Sequence, residues 1–236
     1  MKKLFIPLLA ILLCISLIIT IEKIPKPHLE HTNKIEFINY ISVPETKKTF
    51  LVDKLKKQFN NDDIVGRISI PNTSFEQIIL QGEDNDYYLN HNIYKEEYED
   101  GAVELDYRVD INDKKIIIYS HNKEDKSLPF SILEKYYDQE FYNNHKYISI
   151  EDNEKVNTYE IFSVYVEYKD WDYINTYYHI DNWLEHLNKL KSKSFYDTNI
   201  DVNENDSILI LQTCSFDQRY YKYEKKNLLV IAKKVN

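Results

Sequence analysis

The residues of this chain best suited to chemistry are a cysteine and a histidine that end two apolar runs. Cys214 closes the run that begins at Ile208, and His121 follows the run that begins at Lys115. If the two runs are neighbouring strands, both side chains emerge at one rim. A thiol and an imidazole are a nucleophile and its proton partner, and an imidazolium lowers the pKa of a thiol from about 8.5. The pattern therefore predicts a Cys–His pair for attack on a carbonyl.

Such an attack also needs a donor for the oxygen that becomes negatively charged. Arg219 lies five residues after Cys214 and is the last arginine of the chain. Its guanidinium is always charged and is long enough to cross a loop. We therefore favour Arg219 as the third member of the site. The alternative is a surface arginine paired with Asp217 or Glu224, which would contribute little.

Other polar residues receive structural interpretations. Asp106 and Arg108 are predicted to pair at the end of a strand. His28 and His31 have a spacing compatible with a metal but lack further clustered ligands, so we expect no metal site. We assign a structural role to His91. We place His179 and His186 on the surface of a helix.

Composition limits the class of protein. With 236 residues and 43% hydrophobic content, the chain can form one globular domain with attachments. Only 3 residues are glycine and 21 are tyrosine, which favours aromatic-rich β-strands joined by Asn and Asp turns. The net charge of -9 argues against a nucleic-acid partner, because binding phosphates requires a basic surface.

An uncharged run at residues 4–21 predicts a membrane anchor. As a helix it would be roughly 27 Å long, close to the hydrocarbon thickness of a bilayer. A cleaved signal peptide would have a shorter apolar core, so the anchor is expected to be retained. The lysines of the 1–3 tip favour a cytoplasmic N-terminus and an extracellular catalytic domain in a single-pass cell-membrane protein. Cys214 would then be an unpaired thiol in an oxidising compartment, whereas Cys14 lies in the lipid.

The rest of the chain divides into two parts. Residues 22–61 are predicted to form a stalk and two helices, at 29–41 and 46–59, and residues 62–236 the catalytic domain. Two helical stretches are predicted inside that domain, at 128–144 and 180–195. Eight short strands indicate a closed barrel or a sandwich: 64–70, 75–80, 102–106, 115–120, 146–150, 156–168, 207–213 and 228–235.

Five motifs in order give the chain a family resemblance. They are Gly66-Arg67-Ile68, "LQGEDNDYYLNHNIY" (80–94), "GAVELDYR" (101–108), "IIIYSHN" (116–122) and "LQTCSF" (211–216). Over about residues 62–235 the chain resembles a class B sortase, a membrane-anchored cysteine transpeptidase of Gram-positive bacteria. The resemblance implies a mainly β fold, a closed eight-stranded barrel with N-terminal helices and a long helix before the cysteine strand. It also implies that Cys214 and His121 are the catalytic pair, with an arginine as third member.

The third member is where the chain departs from the family. Class B sortases usually carry this arginine at the start of the last strand, a position occupied here by Asn227. Three alternatives follow: Arg219 reaches in from the loop, Lys226 or Asn227 substitutes as the donor, or the enzyme is impaired. Three residues beside the pair are assigned to substrate binding: Thr213, Asn122 and Gln212.

The resemblance further implies a reaction and its partners. Cys214 would attack a threonine carbonyl in the C-terminal sorting signal of a surface protein, and an amine of a peptidoglycan precursor would resolve the thioester. No cofactor is required. Two alternatives are a sortase-like binding or assembly module that has lost catalysis and a hydrolytic cysteine peptidase.

Overall fold

The computed structural model of the protein describes residues 50–235. The predicted cytoplasmic tip, the anchor at 4–21 and the helix at 29–41 lie outside these residues. Within the part of the chain that is described, no helix is long and apolar enough to cross a bilayer. The membrane anchor therefore stays a prediction.

Eight strands form the body of the domain, and every strand boundary lies within one residue of its predicted position. The strands are β1 (Ile64–Ser69), β2 (Glu76–Leu80), β3 (Val103–Leu105), β4 (Lys115–Tyr119), β5 (Tyr147–Glu151), β6 (Val156–Glu167), β7 (Ile208–Cys214) and β8 (Asn227–Lys234). They pair in the order β1-β2-β3-β4-β7-β8-β6-β5, and β1 also pairs with β5. The sheet is thus a closed barrel without free edges, and the sandwich alternative is excluded.

Three α-helices accompany the barrel in the described residues: α1 (Leu51–Phe59), α2 (Gln139–Asn144) and α3 (Trp183–Ser192). The single helix predicted over 128–144 is a 3-10 helix, Pro129–Tyr137, followed by α2. Asp138 separates the two, because its backbone is extended and its side chain accepts a hydrogen bond from the N–H of Glu140. An aspartate in this position starts a new helix instead of continuing the old one.

The apolar runs are continuous because both faces of the central strands are buried. In β7, Leu209 and Leu211 belong to the cluster inside the barrel, whereas Ile208 and Ile210 belong to a second cluster outside it. The second cluster also contains Leu187 and Leu190 of α3. Helix α3 therefore packs on the outer face of the barrel, where Ser163 of β6 donates a hydrogen bond to the carbonyl oxygen of Leu190 at 2.7 Å.

His186 of α3 is not on the surface, where it was expected. It is only 8% exposed, and its Nε2 lies 3.2 Å from Nζ of Lys115, which is itself buried. It follows Trp183 by three residues, so the two side chains share the apolar face of the helix. Burial, followed by the charge of Lys115, lowers the pKa of His186 to about 4. The imidazole is therefore neutral at pH 7.

Candidate functional site

The catalytic candidates come from two parallel neighbouring strands. β4 and β7 pair in a register that places Tyr119 opposite Gln212. His121 and Cys214 each lie two residues further along, so the two side chains leave the strands in phase. Because side chains alternate between faces, both continue the outward face of Ile117 and Ile210.

Thiol and imidazole line one open cavity of about 750 Å³ on this outward side. A separate cavity of about 500 Å³ near α1 contains neither group. The first cavity is therefore the candidate active site. It also contains the predicted residues Gln212, Thr213 and Asn227.

Two side chains join the strand ends below the cavity. Thr213 Oγ1 donates to the carbonyl oxygen of Ser120 at 2.8 Å, and Asn122 Nδ2 donates to the carbonyl oxygen of Cys214 at 3.2 Å. Asn122 also accepts from Ser131 Oγ at 2.5 Å and donates to Glu134 Oε1 at 3.0 Å. Both residues are buried, so Asn122 and Thr213 hold the backbone of the catalytic pair in place.

Cys214 is a free thiol, and its side chain is exposed to solvent. The surrounding cavity nevertheless removes water from the sulfur. This burial raises the pKa of Cys214, and the positive charge of Lys226 opposes the rise. The lowering of the thiol pKa that we expected from His121 is therefore absent from this arrangement.

The imidazole of His121 is oriented by a backbone contact. Its Nε2 lies 2.8 Å from the carbonyl oxygen of Leu89, at the end of the 3-10 turn Tyr87–Leu89. A carbonyl oxygen can only accept, so Nε2 carries the proton and Nδ1 is left as the other exchange site. The loop that precedes β3 thus selects the tautomer of the candidate base.

Residues 68–235 match the family model described as Sortase domain. Sortase B of Listeria monocytogenes is 37% identical over 178 residues, which cover 74% of this chain and 71% of that protein. The X-ray structure of Clostridium perfringens sortase B has a TM-score of 0.69 and 32% identity, covering 78% of this chain and 99% of that one. A Staphylococcus aureus sortase B–substrate complex has a TM-score of 0.68 and 30% identity, with coverages of 78% and 84%.

This chain belongs to the sortase family. Its relatives are sortase B proteins, which confirms the class suggested by the motifs and indicates a cysteine transpeptidase. The Cys–His cavity is therefore the candidate active site of this sortase, and its third member remains to be assigned.

Arg219 is held outside the cavity of this sortase. It lies in the 3-10 turn Gln218–Tyr220, and its Nε donates to Asp217 Oδ2 at 2.8 Å. The guanidinium carbon lies 4.9 Å from the ring centroid of Phe195, and the side chain is 62% exposed. The structure thus does not bring Arg219 together with Cys214 and His121.

Asn227 lies directly beside the nucleophile. It is opposite Cys214 in the β7–β8 register, and its Nδ2 donates to the hydroxyl oxygen of Tyr173 at 2.9 Å. Lys226 points its Nζ to the carbonyl oxygen of Tyr223 at 3.2 Å, yet its charge reaches the thiol. At the position where the family resemblance implies an arginine, this chain therefore has a neutral amide.

Sequence reasoning missed the wall of the cavity formed by residues 171–174. This 3-10 segment, Trp171–Ile174, supplies three lining side chains, Trp171, Tyr173 and Ile174. Its aromatic content was visible, but a short irregular segment has no periodicity that places it next to the site.

The predicted pair of Asp106 and Arg108 is confirmed, with Nη2 to Oδ2 at 2.6 Å and Nε to Oδ1 at 2.9 Å. Arg108 has a further position that was not expected, because it lines the cavity and its Nη2 also donates to the carbonyl oxygen of Ile174 at 2.9 Å. Within residues 50–235, no group of three or more His, Cys, Asp or Glu side chains could hold a metal ion.

Proposed function

We propose that this sortase is a membrane-anchored transpeptidase that cleaves a C-terminal sorting signal after threonine and transfers the protein to a cell-wall amine. The observation that carries the proposal is the in-phase exit of His121 and Cys214 into one peptide-sized cavity. The Staphylococcus aureus sortase B–substrate complex supports a peptide substrate. A further sortase B structure is complexed with triglycine, which supports an amine acceptor.

The proposed reaction has two acyl-transfer steps. The thiol of Cys214 gives its proton to Nδ1 of His121, its sulfur bonds to the threonine carbonyl carbon, and the amide C–N bond breaks. The departing amine takes a proton from His121, and the product is a thioester. The acceptor amine then bonds to the same carbon and gives a proton to His121, the C–S bond breaks, and the departing Cys214 sulfur takes that proton back from His121.

The oxygen of the tetrahedral intermediate needs donors inside the cavity. We propose that Asn227 contributes there, since it lies across from Cys214 at the strand start. Arg219 could serve only after leaving Asp217, and Lys226 acts on the thiol through its charge. A neutral amide gives weaker charge stabilisation than a guanidinium, so slow acylation is expected.

The anchoring proposal rests on residues 4–21. Substrate and acceptor that are attached to the same membrane would be concentrated around a tethered catalytic domain, which offsets weak affinity. The expected location is the cell membrane, with the N-terminus in the cytoplasm and the catalytic domain outside.

The test uses the full-length protein in detergent micelles and a library of threonine-containing pentapeptides, with and without triglycine. Amine-dependent product together with a thioester on Cys214 supports the proposed transfer. Hydrolysis that triglycine does not redirect supports the peptidase alternative. Peptide binding without any thioester supports the non-catalytic module and contradicts the proposal. The Cys214→Ala variant is the control and should form neither product.

A further inference from the structure

A buried tyrosine connects two amides at the wall of the cavity. Tyr173 is 1% exposed and belongs to the outer apolar cluster, together with Phe162 and Leu229. Its hydroxyl receives a hydrogen bond from Asn227 Nδ2 at 2.9 Å and donates one to Gln212 Oε1 at 2.7 Å. The three side chains form one chain of hydrogen bonds that runs from β8 through the 3-10 segment to β7.

This chain has a direction. A phenol has one proton, so Tyr173 can donate to only one of the two amides while it accepts from the other. The donation goes to the carboxamide oxygen of Gln212, and the amino group of that carboxamide therefore turns away from the tyrosine. Within residues 50–235, Gln212 Nε2 has no hydrogen-bond partner. Gln212 also lines the cavity.

Gln212 and Cys214 share the outward face of β7. They lie two residues apart, which corresponds to about 7 Å along a strand. A carboxamide held at this distance can reach a peptide whose scissile carbonyl is at the sulfur. An unheld glutamine would offer its oxygen as often as its nitrogen, and the oxygen would repel a carbonyl.

We propose that Tyr173 is a positioning residue, which turns the Gln212 carboxamide so that its N–H groups bind a carbonyl oxygen of the acyl-donor peptide. The inference rests on the proposed function, because it assumes that this peptide occupies the Cys214 cavity. It goes beyond that proposal because it names Tyr173 as the residue that orients the Gln212 N–H donor and a peptide carbonyl oxygen as the acceptor.

The first test compares Tyr173→Phe with Tyr165→Phe in the full-length protein. Tyr165 is a matched control, since it is 2% exposed in the same cluster and its hydroxyl has no hydrogen-bond partner in the described residues. With the pentapeptide selected from the library, Tyr173→Phe should lower kcat/KM for thioester formation about tenfold. A loss of this size corresponds to one or two hydrogen bonds. The rate of Cys214 alkylation by iodoacetamide should not change, and Tyr165→Phe should behave like the wild type.

Gln212 variants separate donation from packing. Gln212→Glu can still accept from Tyr173 but offers no donor, so it should be as slow as Gln212→Leu. In the Gln212→Leu background, Tyr173→Phe should not weaken peptide binding any further, because the group that it positions for binding is absent. Full activity of Gln212→Glu, or an undiminished tyrosine effect on peptide binding in the Gln212→Leu background, would contradict the proposal.

A binding measurement keeps this result separate from the proposed reaction. In the Cys214→Ala background, the dissociation constant of the same fluorescent pentapeptide should rise about tenfold with Tyr173→Phe and remain unchanged with Tyr165→Phe. Equal affinities in all three proteins overturn the role of Tyr173. If the wild type forms no thioester, the transfer reaction is overturned. The change in peptide affinity then still decides whether Tyr173 orients Gln212.

Discussion

At the scale of single residues, the nucleophile is less activated than its partner suggests. Burial raises the pKa of Cys214, and only the charge of Lys226 opposes this. The thiolate fraction at neutral pH is therefore lower than that of an exposed cysteine. Because the group is an acid with a raised pKa, its reactivity should increase with pH.

Alkylation of Cys214 by iodoacetamide should follow an apparent pKa above about 8.5. Replacing Lys226 by Met removes the favourable charge, so the pKa should rise further and the alkylation rate at pH 8 should fall about threefold. The measurement is the alkylation rate between pH 6 and 10. Lys222→Met is the matched control, because Lys222 is exposed on the same loop and does not affect the pKa of the thiol. Equal rates for both variants would exclude the electrostatic account.

The third member can be assigned by two alanine substitutions. Asn227→Ala removes an amide beside Cys214 and should lower kcat for acylation about tenfold to a hundredfold. Arg219→Ala should leave kcat within about threefold, since Arg219 is exposed and paired with Asp217. Thioester formation measured in single turnovers decides between them. A large loss for Arg219→Ala alone would show that the arginine reaches the cavity during the reaction.

At the scale of elements, the site depends on how β4 and β7 end. Asn122 ties the β4 end to the carbonyl of Cys214 and to the 3-10 helix Pro129–Tyr137 through Ser131 and Glu134. Because the Asn122 carboxamide is buried, its removal leaves the carbonyl oxygen of Cys214 and the side chains of Ser131 and Glu134 without these hydrogen bonds. The precision of the catalytic pair therefore depends on a residue that need not touch substrate.

Asn122→Ala should lower the free energy of unfolding by about 2 kcal/mol and also reduce acylation, because buried polar groups lose their partners. Urea unfolding monitored by tryptophan fluorescence measures the first effect. Asn144→Ala is the control: it removes an exposed amide at the end of α2, bonded at 3.0 Å to the carbonyl of Glu140. If both variants have the same stability, the network does not hold the strand ends.

The strands could be predicted to within one residue because each is an apolar run bounded by turn residues. The shared cavity of Cys214 and His121 could be predicted from the strand ends and the family motifs. Asn122 and Thr213 were predicted to contact substrate. In the structure, both side chains donate hydrogen bonds to backbone carbonyl oxygens of the neighbouring strand end. The wall at 171–174 and the outward position of Arg219 arise from tertiary packing, which leaves no periodic signal in the sequence.

At the scale of the whole molecule, the barrel encloses groups whose ionisation opposes folding. Glu104 of β3 is 1% exposed, and its two carboxylate oxygens have no well-formed hydrogen bond in the described residues, although the backbone N–H of Gly82 lies near enough to oppose part of the rise in its pKa. Burial, followed by the charge of Asp84, raises its pKa to about 8. The folded protein therefore keeps a proton on Glu104 that the unfolded chain has already lost at neutral pH.

Because the folded pKa is raised, Glu104 makes stability decrease as pH rises from about 4.5 to about 8, by up to about 1.4 kcal/mol per pH unit. Glu104→Gln keeps the neutral shape and should remove this contribution, so the variant should be the more stable protein at pH 8. The measurement is the midpoint of thermal unfolding between pH 5 and 8.5. Glu83→Gln, in the exposed adjoining loop, should reproduce the wild-type profile. Parallel profiles for wild type and Glu104→Gln would show that the carboxyl is ionised in the fold.

The pairing of β4 with β7 also determines when the protein becomes reactive. Ser120 and Thr213, which meet at the rim, are 93 positions apart, and β7 needs β8 as its other neighbour. Such long-range pairing is slow to form, because the closure entropy of the intervening chain must be overcome first. The sulfur and the imidazole therefore share one cavity only after a contact that spans 93 positions has formed.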